Sequence, residues 1–377
     1  QRQMCIRDRG IYHATSIVCE IPSGAAADLW GRKRCMVLSN LCIAVSCVIM
    51  LFSKSFGWFA VSFAVQALGN NLNSGSEEAL VYDSMKCLGQ EEHYMGVYGR
   101  LNVLIEVAQG LATVAGGVLA EFSYFWCYAA CVVIAVLALL PVLGMAEPPQ
   151  CGKAADTAGG SAKDAPAEGT PAQRTIWETV KHHFAVSACI LQKDAKIGKI
   201  IGFYSVVFAA HTLLFFYSQQ YFADFGYNKV QISVIMLLVG GASCLGALAS
   251  EKMYRRFGKR CLIPETVIIA AAILCYGSGK AGVAAAALMC AGFANAALYP
   301  IQSDSLNALI PSEQRATLIS VDSMCFSIAM IVLFPLAGAL ADRWGLKTVL
   351  LLLGAILLLF LLTVFCIEKE SFSSDHS

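Results

Sequence analysis

Eleven long apolar runs, separated by short polar stretches, organise this chain. They lie at about residues 10–29, 35–53, 57–82, 97–120, 123–145, 199–221, 229–249, 261–278, 281–307, 316–340 and 345–367. A helix needs roughly 20 apolar residues to cross about 30 Å of hydrocarbon. Only helices and closed barrels satisfy their backbone polar groups in that medium. Runs of this length therefore predict membrane-spanning helices.

The polar stretches are unequal in charge, and that gives the runs a direction. If the loop at 30–34 is cytoplasmic, so are those near 83–100, 146–198, 250–260 and 308–315, and so is the C-terminus. The opposite loops hold only Lys54, Lys229, Lys280, Arg343 and Lys347 of the 27 Lys and Arg residues, and three more (Arg2, Arg7, Arg9) sit in the first nine positions. The rest fall on the first side, which the positive-inside rule places in the cytoplasm.

The longest break, 146–174, is rich in Ala, Gly and Pro and reads as a linker. After it, 175–191 reads as an amphipathic helix on the cytoplasmic face, with Trp177, Val180 and Phe184 on one side. The His182–His183 pair belongs to that interfacial face rather than to a metal site. The chain thus divides into a stub at 1–9, a first bundle at 10–145, a cytoplasmic linker with its surface helix at 146–198, a second bundle at 199–368 and a cytoplasmic tail at 369–377.

The two bundles resemble each other. GAAADLWGRKR (24–34) matches GALASEKMYRRFGKR (246–260) in its order of small, acidic, aromatic, Gly and basic residues. Tyr82-Asp83-Ser84-Met85 is matched by Ser303-Asp304-Ser305-Leu306. An Arg opens the next run in each half, Arg100 and Arg315. That run ends in Gly-Gly-Val-Leu-Ala-Glu (116–121) or Ala-Gly-Ala-Leu-Ala-Asp (337–342). Parallel repeats of this kind place a binding site at the interface of two bundles, near the bilayer midplane. In the later half the basic loop follows the second run and in the early half the first, so symmetry implies a further helix before residue 10, which QRQMCIRDR does not supply.

Composition agrees with this picture. Hydrophobic residues make up 57% of the chain and charged residues 14%, too little charge to cover the surfaces of an ordinary soluble protein, where charged residues are about 25%. The net charge of +1 offers no bulk attraction to nucleic acid. The 16 cysteines are scattered through apolar runs without a Cys-x-x-Cys pair, so they read as small packing residues. No metal or cofactor is expected. No phosphate-binding Gly-x-x-x-x-Gly-Lys-Ser/Thr loop or His-Glu-x-x-His occurs, which argues against ATP-driven transport and metalloenzyme chemistry.

Glu20-Ile-Pro-Ser-Gly24-Ala-Ala-Ala-Asp28-Leu-Trp-Gly31-Arg32-Lys33-Arg34 resembles the signature loop between the second and third helices of the major facilitator superfamily, matching at Gly24, Asp28, Gly31, Arg32 and Lys33. Gly-Ser-Glu-Glu-Ala-Leu-Val-Tyr-Asp-Ser (75–84) resembles the fourth helix of a bacterial subgroup. The resemblance implies an all-α membrane protein of two six-helix bundles with pseudo-two-fold related halves, rocking in alternating access. Eleven of the twelve helices are expected here. It also implies that the signature loop is a conformational latch. Independently of the family, Asp28 sits at a helix end where it can accept N–H groups or pair with a base, and Gly31 suits a tight turn.

Ionisable groups inside the runs are expensive and therefore functional candidates. Glu20, Glu106, His211, Asp322, Glu77 and Glu78 are the candidates for proton coupling or substrate contact, since a carboxylate in low dielectric holds its proton more tightly. Asp83, Arg100, Asp304 and Arg315 read as structural groups at helix ends. The aromatics Phe203, Tyr204, Phe208, Phe215, Phe216, Tyr217 and Tyr221 either line an apolar cavity, face lipid or pack between helices, with Tyr217 and Tyr221 suited to an interfacial belt.

The expected function is secondary active transport of a small solute across the cytoplasmic membrane, coupled to H+. Efflux of a drug-like or hydrophobic compound is slightly favoured over uptake of a sugar or other metabolite. A membrane-embedded enzyme or a non-transporting receptor is the competing class. A monomer in the lipid bilayer is expected.

Overall fold

A computed structural model describes residues 2–90, 94–145, 195–258, 262–309 and 315–374. Among them, every regular element is helical. Eleven α-helices follow one another: α1 (Arg2–Trp30), α2 (Arg32–Phe52), α3 (Phe56–Cys87), α4 (Tyr94–Phe122), α5 (Tyr124–Gly144), α6 (Ala195–Asp224), α7 (Lys229–Phe257), α8 (Leu262–Cys275), α9 (Ala281–Leu309), α10 (Arg315–Trp344) and α11 (Leu346–Ser374). A short 3-10 turn, Tyr276–Ser278, extends α8.

Each apolar run has its helix, and most helices outrun the apolar stretch by a turn or more. α1 reaches back to Arg2, so residues 2–9 are helical. Nothing in that stretch breaks a helix, since it holds neither Pro nor Gly. α11 likewise carries on to Ser374, through most of the expected tail. The linker at 146–174 and the surface helix expected at 175–191 lie outside the described residues.

Seven of the helices are long and apolar enough to cross a membrane, with Val107–Phe122 and Ile263–Ser278 as shorter apolar helices. α5 shows why such a helix belongs in lipid. Phe125, Trp126, Val133, Ile134, Leu137 and Leu140 are all exposed on it, a patch that soluble monomers do not carry.

The chain divides into two compact units. One comprises Gln1–Gly10, Gln109–Ser123 and Lys193–Ser377; the other comprises Ile11–Ala108 and Tyr124–Gln192.

The first unit has one continuous apolar core, running through α6 and the helices after it. The α6 aromatics build its centre. Phe203 stacks on Phe360 with ring centroids 5.9 Å apart, and Tyr221 meets Tyr276 edge-on at 4.7 Å. Tyr217 and Tyr221 are buried, so the expected interfacial belt is not where they sit. Their hydroxyls find internal acceptors: Tyr217 donates to the Phe334 carbonyl at 3.3 Å and Tyr221 to the Tyr276 carbonyl at 2.9 Å. A buried tyrosine needs such a partner. α7 and α9 meet backbone to backbone, and a methyl group on Gly246 would run into the Phe293 carbonyl. Without a hydrophobic drive between helices in lipid, such close approach is a main source of cohesion.

The second unit is tied differently. α2 packs on α3 and on α5. Among its described residues, two small buried apolar clusters join Cys35 with Ala26 and Leu72, and Met36 with Leu80 and Val142. Between α1 and α3 the contacts are polar. Ser16 donates to the Asn71 side chain at 2.9 Å, Asn71 donates back to the Ser16 carbonyl at 2.7 Å, and Asn70 donates to the Tyr12 hydroxyl at 2.8 Å.

Candidate translocation site

The polar groups of the first unit gather on α6, α9 and α10, and their depths follow from helix register. Phe208 of α6 lies against Tyr299 of α9, centroids 6.1 Å apart. Consecutive helices alternate in direction, so α6 and α9 run antiparallel. One turn beyond Phe208 is His211, and one turn before Tyr299 is Asn295, so these two share a level and a side of their helices. In the other direction, three residues bring Ser205 and Gln302 to a common level.

α10 arrives at the same layer. Tyr217 sits against Phe334 with centroids 6.0 Å apart, and α6 and α10 run the same way. Twelve residues back along each, about 18 Å at 1.5 Å per residue, lie Ser205 and Asp322. Gln302 fixes the level directly. Its amide nitrogen donates to both carboxylate oxygens of Asp322, at 3.0 Å each, and Gln302 itself is 2% exposed.

Around this pair, several polar atoms are buried and unpartnered: the Ser205 hydroxyl oxygen, the His211 Nε2 and the Asn295 Oδ1. Each unpaired polar atom out of water costs roughly 1–3 kcal/mol. Natural structures rarely tolerate several together unless something else satisfies them. The arrangement is a polar layer on two levels, with the aromatic rings of Tyr204, Phe208 and Tyr299 beside it. It can hydrogen-bond a solute and hold a proton at Asp322.

His211 and Asp322 are thus in one region, as candidates of similar kind. Ser205, Asn295 and Gln302 escape a sequence search built on charge, although Asn295 stands in an Ala- and Gly-rich stretch and Gln302 two residues from Asp304. Glu265 also gains weight. It is 1% exposed, and neither of its oxygens has a hydrogen-bond partner.

In the second unit, Glu20 is half-buried on α1 and Glu77 accepts from the Asn73 amide at 2.8 Å. α1 stays helical through Pro22, with Ser23 donating to the Glu20 carbonyl at 2.8 Å. Of the signature positions, Gly31 opens α2 with φ 93°, a value that favours glycine. Arg32 and Lys33 form the first turn of α2 and are half-buried. Arg100 is exposed. Gly24 lies within α1, and the side chains of Asp28, Glu78, Asp83, Glu106, Asp304 and Arg315 are not described. Among the described residues, no group of three or more His, Cys, Asp or Glu side chains could hold a metal ion.

One more contact of the first unit bears on movement. The second half of α4 clasps the start of α7. Glu121 accepts the Lys229 backbone N–H at 2.6 Å, and the Lys229 ammonium donates to the Ala120 carbonyl. A Cβ on Gly117 would lie 2.6 Å from the Ser233 Cβ, so glycine there permits the approach. Asn228 caps α7 through a reciprocal pair with Gln231.

The fold matches solved transporters. A nucleoside transporter, NupG, superposes with a TM-score of 0.75 at 13% identity, covering 98% of this chain and 91% of that one. A D-xylose-proton symporter gives 0.69 at 13% identity, covering 94% and 87%. The partially occluded inward-open xylose transporter XylE from E. coli gives 0.68 at 14%, covering 97% and 88%. By sequence, the chain is 27% identical over 132 residues to an uncharacterized transporter of Buchnera aphidicola subsp. Schizaphis graminum (strain Sg), a match spanning 34% of this chain and 32% of that protein. The structural likenesses show a shared fold. A family model of the Major Facilitator Superfamily matches residues 10–321 and 266–375, and the chain belongs to that family.

Proposed function

We propose that the chain is a secondary transporter that moves a small polar solute across the cytoplasmic membrane by alternating access, coupled to protons at Asp322. The observation that carries this reading is the Gln302–Asp322 pair set among unpartnered polar atoms of α6 and α9. One amide nitrogen serves both carboxylate oxygens. Protonating either oxygen turns an acceptor into a donor and loosens one arm of that bond. Proton binding is thereby tied to the contact between α9 and α10, which is the coupling a gradient-driven carrier needs.

Sequence alone slightly favours export of a hydrophobic, drug-like compound. The polar layer argues for a polar cargo instead, because an apolar solute would leave Ser205, His211 and Asn295 unsatisfied. The charge asymmetry of the loops supports a cytoplasmic central linker and C-terminus. The signature positions Gly24, Asp28, Gly31, Arg32 and Lys33 act as the latch of one access state, and the two bundles are residues 10–145 and 199–368.

The test is solute-induced pH change in proteoliposomes, across a panel of sugars, nucleosides, short peptides and lipophilic cations. A polar class should drive proton movement, and Asp322→Asn should abolish the pH change while solute still binds. Proton movement retained in Asp322→Asn removes Asp322 from the mechanism, and a response to lipophilic cations alone removes the polar-solute reading. The sign of the pH change separates uptake from export.

A further inference from the structure

Two cysteines meet within the second unit, where no sequence motif pairs them. Met36 of α2 and Val142 of α5 share one buried cluster. Eleven residues on from Met36 is Cys47, and eleven back from Val142 is Cys131. Eleven residues are close to three helical turns, about 16 Å of rise, so each helix returns nearly the same face. In an antiparallel pair, Cys47 and Cys131 must therefore face each other as Met36 and Val142 do. The side chains agree with this register, the two thiols lying near enough across the interface to act on each other electrostatically. Both are free thiols.

We propose that Cys47 and Cys131 form a thiol-oxidation site: a reversible disulfide between α2 and α5. The geometry is selective. Both residues lie on regular helices that already pack together, at facing positions of that interface. Cys131 is exposed, on a helix whose outward face is a stripe of large apolar side chains, and that exposure is to lipid. The fitting oxidant is accordingly a membrane-soluble two-electron acceptor of the quinone class. Two S–H bonds break and one S–S bond forms, while two protons and two electrons pass to the quinone, which leaves as the hydroquinone. Aqueous oxidants that do not enter the bilayer are poor partners for this pair.

The other cysteines of these helices do not share the register. Cys35 and Cys42 lie twelve and five residues from Cys47 on α2, both on other faces, and Cys127 lies a turn along α5 from Cys131. The pair also lies inside a single unit. Its oxidation would staple α2 to α5 and stiffen that unit, independently of any solute. This site stands apart from the transport reading, and either can fail without the other.

The experiment uses the full chain, in proteoliposomes, with no solute. The membrane-permeant two-electron oxidant diamide takes the place of the quinone, its N=N bond being reduced to the hydrazine. Alkylation of remaining thiols followed by peptide mass mapping should show one cross-linked pair, joining the peptides that hold Cys47 and Cys131. The titratable thiols should fall from 16 to 14. Thermal unfolding should shift upward on oxidation and return with dithiothreitol. Cys47→Ser and Cys131→Ser should each abolish the link and the shift while leaving the reduced protein's melting temperature within a degree or two of the parent. A link through Cys42 or Cys127, or no loss of thiols, overturns the proposal. The peptide map of the unaltered chain decides the matter even if a serine variant fails to fold.

Discussion

The two units of this molecule solve the same problem in different ways. In the first, α6 and the later helices share a continuous apolar core with buried aromatic rings at its centre, and α7 meets α9 at the level of the backbone. In the second, among the described residues, the apolar clusters are small, and α1 is tied to α3 by paired hydrogen bonds at Ser16, Asn70 and Asn71. Lipid tails are as apolar as leucine, so apolar burial alone gives helices no reason to associate in a bilayer. Cohesion must come from shape or from hydrogen bonds. Both units use both, but among the described contacts shape is plainest between α7 and α9 of the first unit and hydrogen bonding between α1 and α3 of the second.

The difference is sharpest at Gly246. A valine there would drive two methyl groups into the Phe293 carbonyl region, where the neighbour is backbone and cannot rotate away. Overpacking a tight site costs about 1–3 kcal/mol and more where nothing can yield. We expect Gly246→Val to yield little folded protein, measured by size-exclusion chromatography of a fluorescent fusion in detergent. Elution and melting like the parent would mean that the α7–α9 contact is not what holds the first unit.

Asn71→Leu is the corresponding cut in the second unit, with a smaller expected effect. It removes both bonds to Ser16 and leaves the Ser16 carbonyl with its own helix as partner. Interhelical hydrogen bonds within membranes average about 0.6 kcal/mol and reach about 1.7. We expect a loss of about 1–2 kcal/mol, read as lowered unfolding midpoint in a denaturing detergent titration, with the thiols of α2 and α3 alkylated sooner than those of α7 and α8. Simultaneous exposure of all of them would show that the two units do not differ as described.

A still smaller step tests the clasp between α4 and α7. Glu121→Gln keeps an oxygen that can accept the Lys229 N–H but removes the negative charge beside the Lys229 ammonium. Exposed charge-assisted contacts are typically worth less than about 1 kcal/mol. Folding should therefore be unchanged. If the clasp opens during transport, the distance between spin labels on Ser123 and Gln231 should show two populations, with the longer one enriched in the variant. One unchanged short distance would make the clasp a static contact.

Much of the fold was legible beforehand. Every apolar run became a helix, because in a bilayer the length of a run and the need to satisfy the backbone leave little else. What could not be read was where helices end and which side chains meet. α1 extends back to Arg2, since charged residues without Pro or Gly do not by themselves end a helix. Tyr217 and Tyr221 face the core because a hydroxyl with a carbonyl to donate to is as well placed there as at a headgroup. Of the site, His211 and Asp322 stood out through charge in an apolar run. Ser205, Asn295 and Gln302 did not, since a neutral polar residue is common in membrane helices and becomes informative only when its partner, or its lack of one, is visible.

Glu265 carries the smallest expected effect and the finest test of how the first unit handles polar groups. Two carboxyl groups of that unit, one half-buried and one fully buried, are treated oppositely. Asp322 has both oxygens served by Gln302, whereas Glu265 is 1% exposed with neither oxygen served. Replacing a partnered group removes an interaction, while replacing an unpartnered one by a neutral group of the same shape removes only a liability. Glu265→Gln should therefore leave the melting temperature unchanged or raise it by a degree or two, and Gln302→Leu should lower it, since Asp322 then loses its donor. A pronounced loss of stability in Glu265→Gln would mean that the carboxylate is held by a partner reached only in another state of the cycle. The comparison would then shift from how the two units cohere to how the first unit moves.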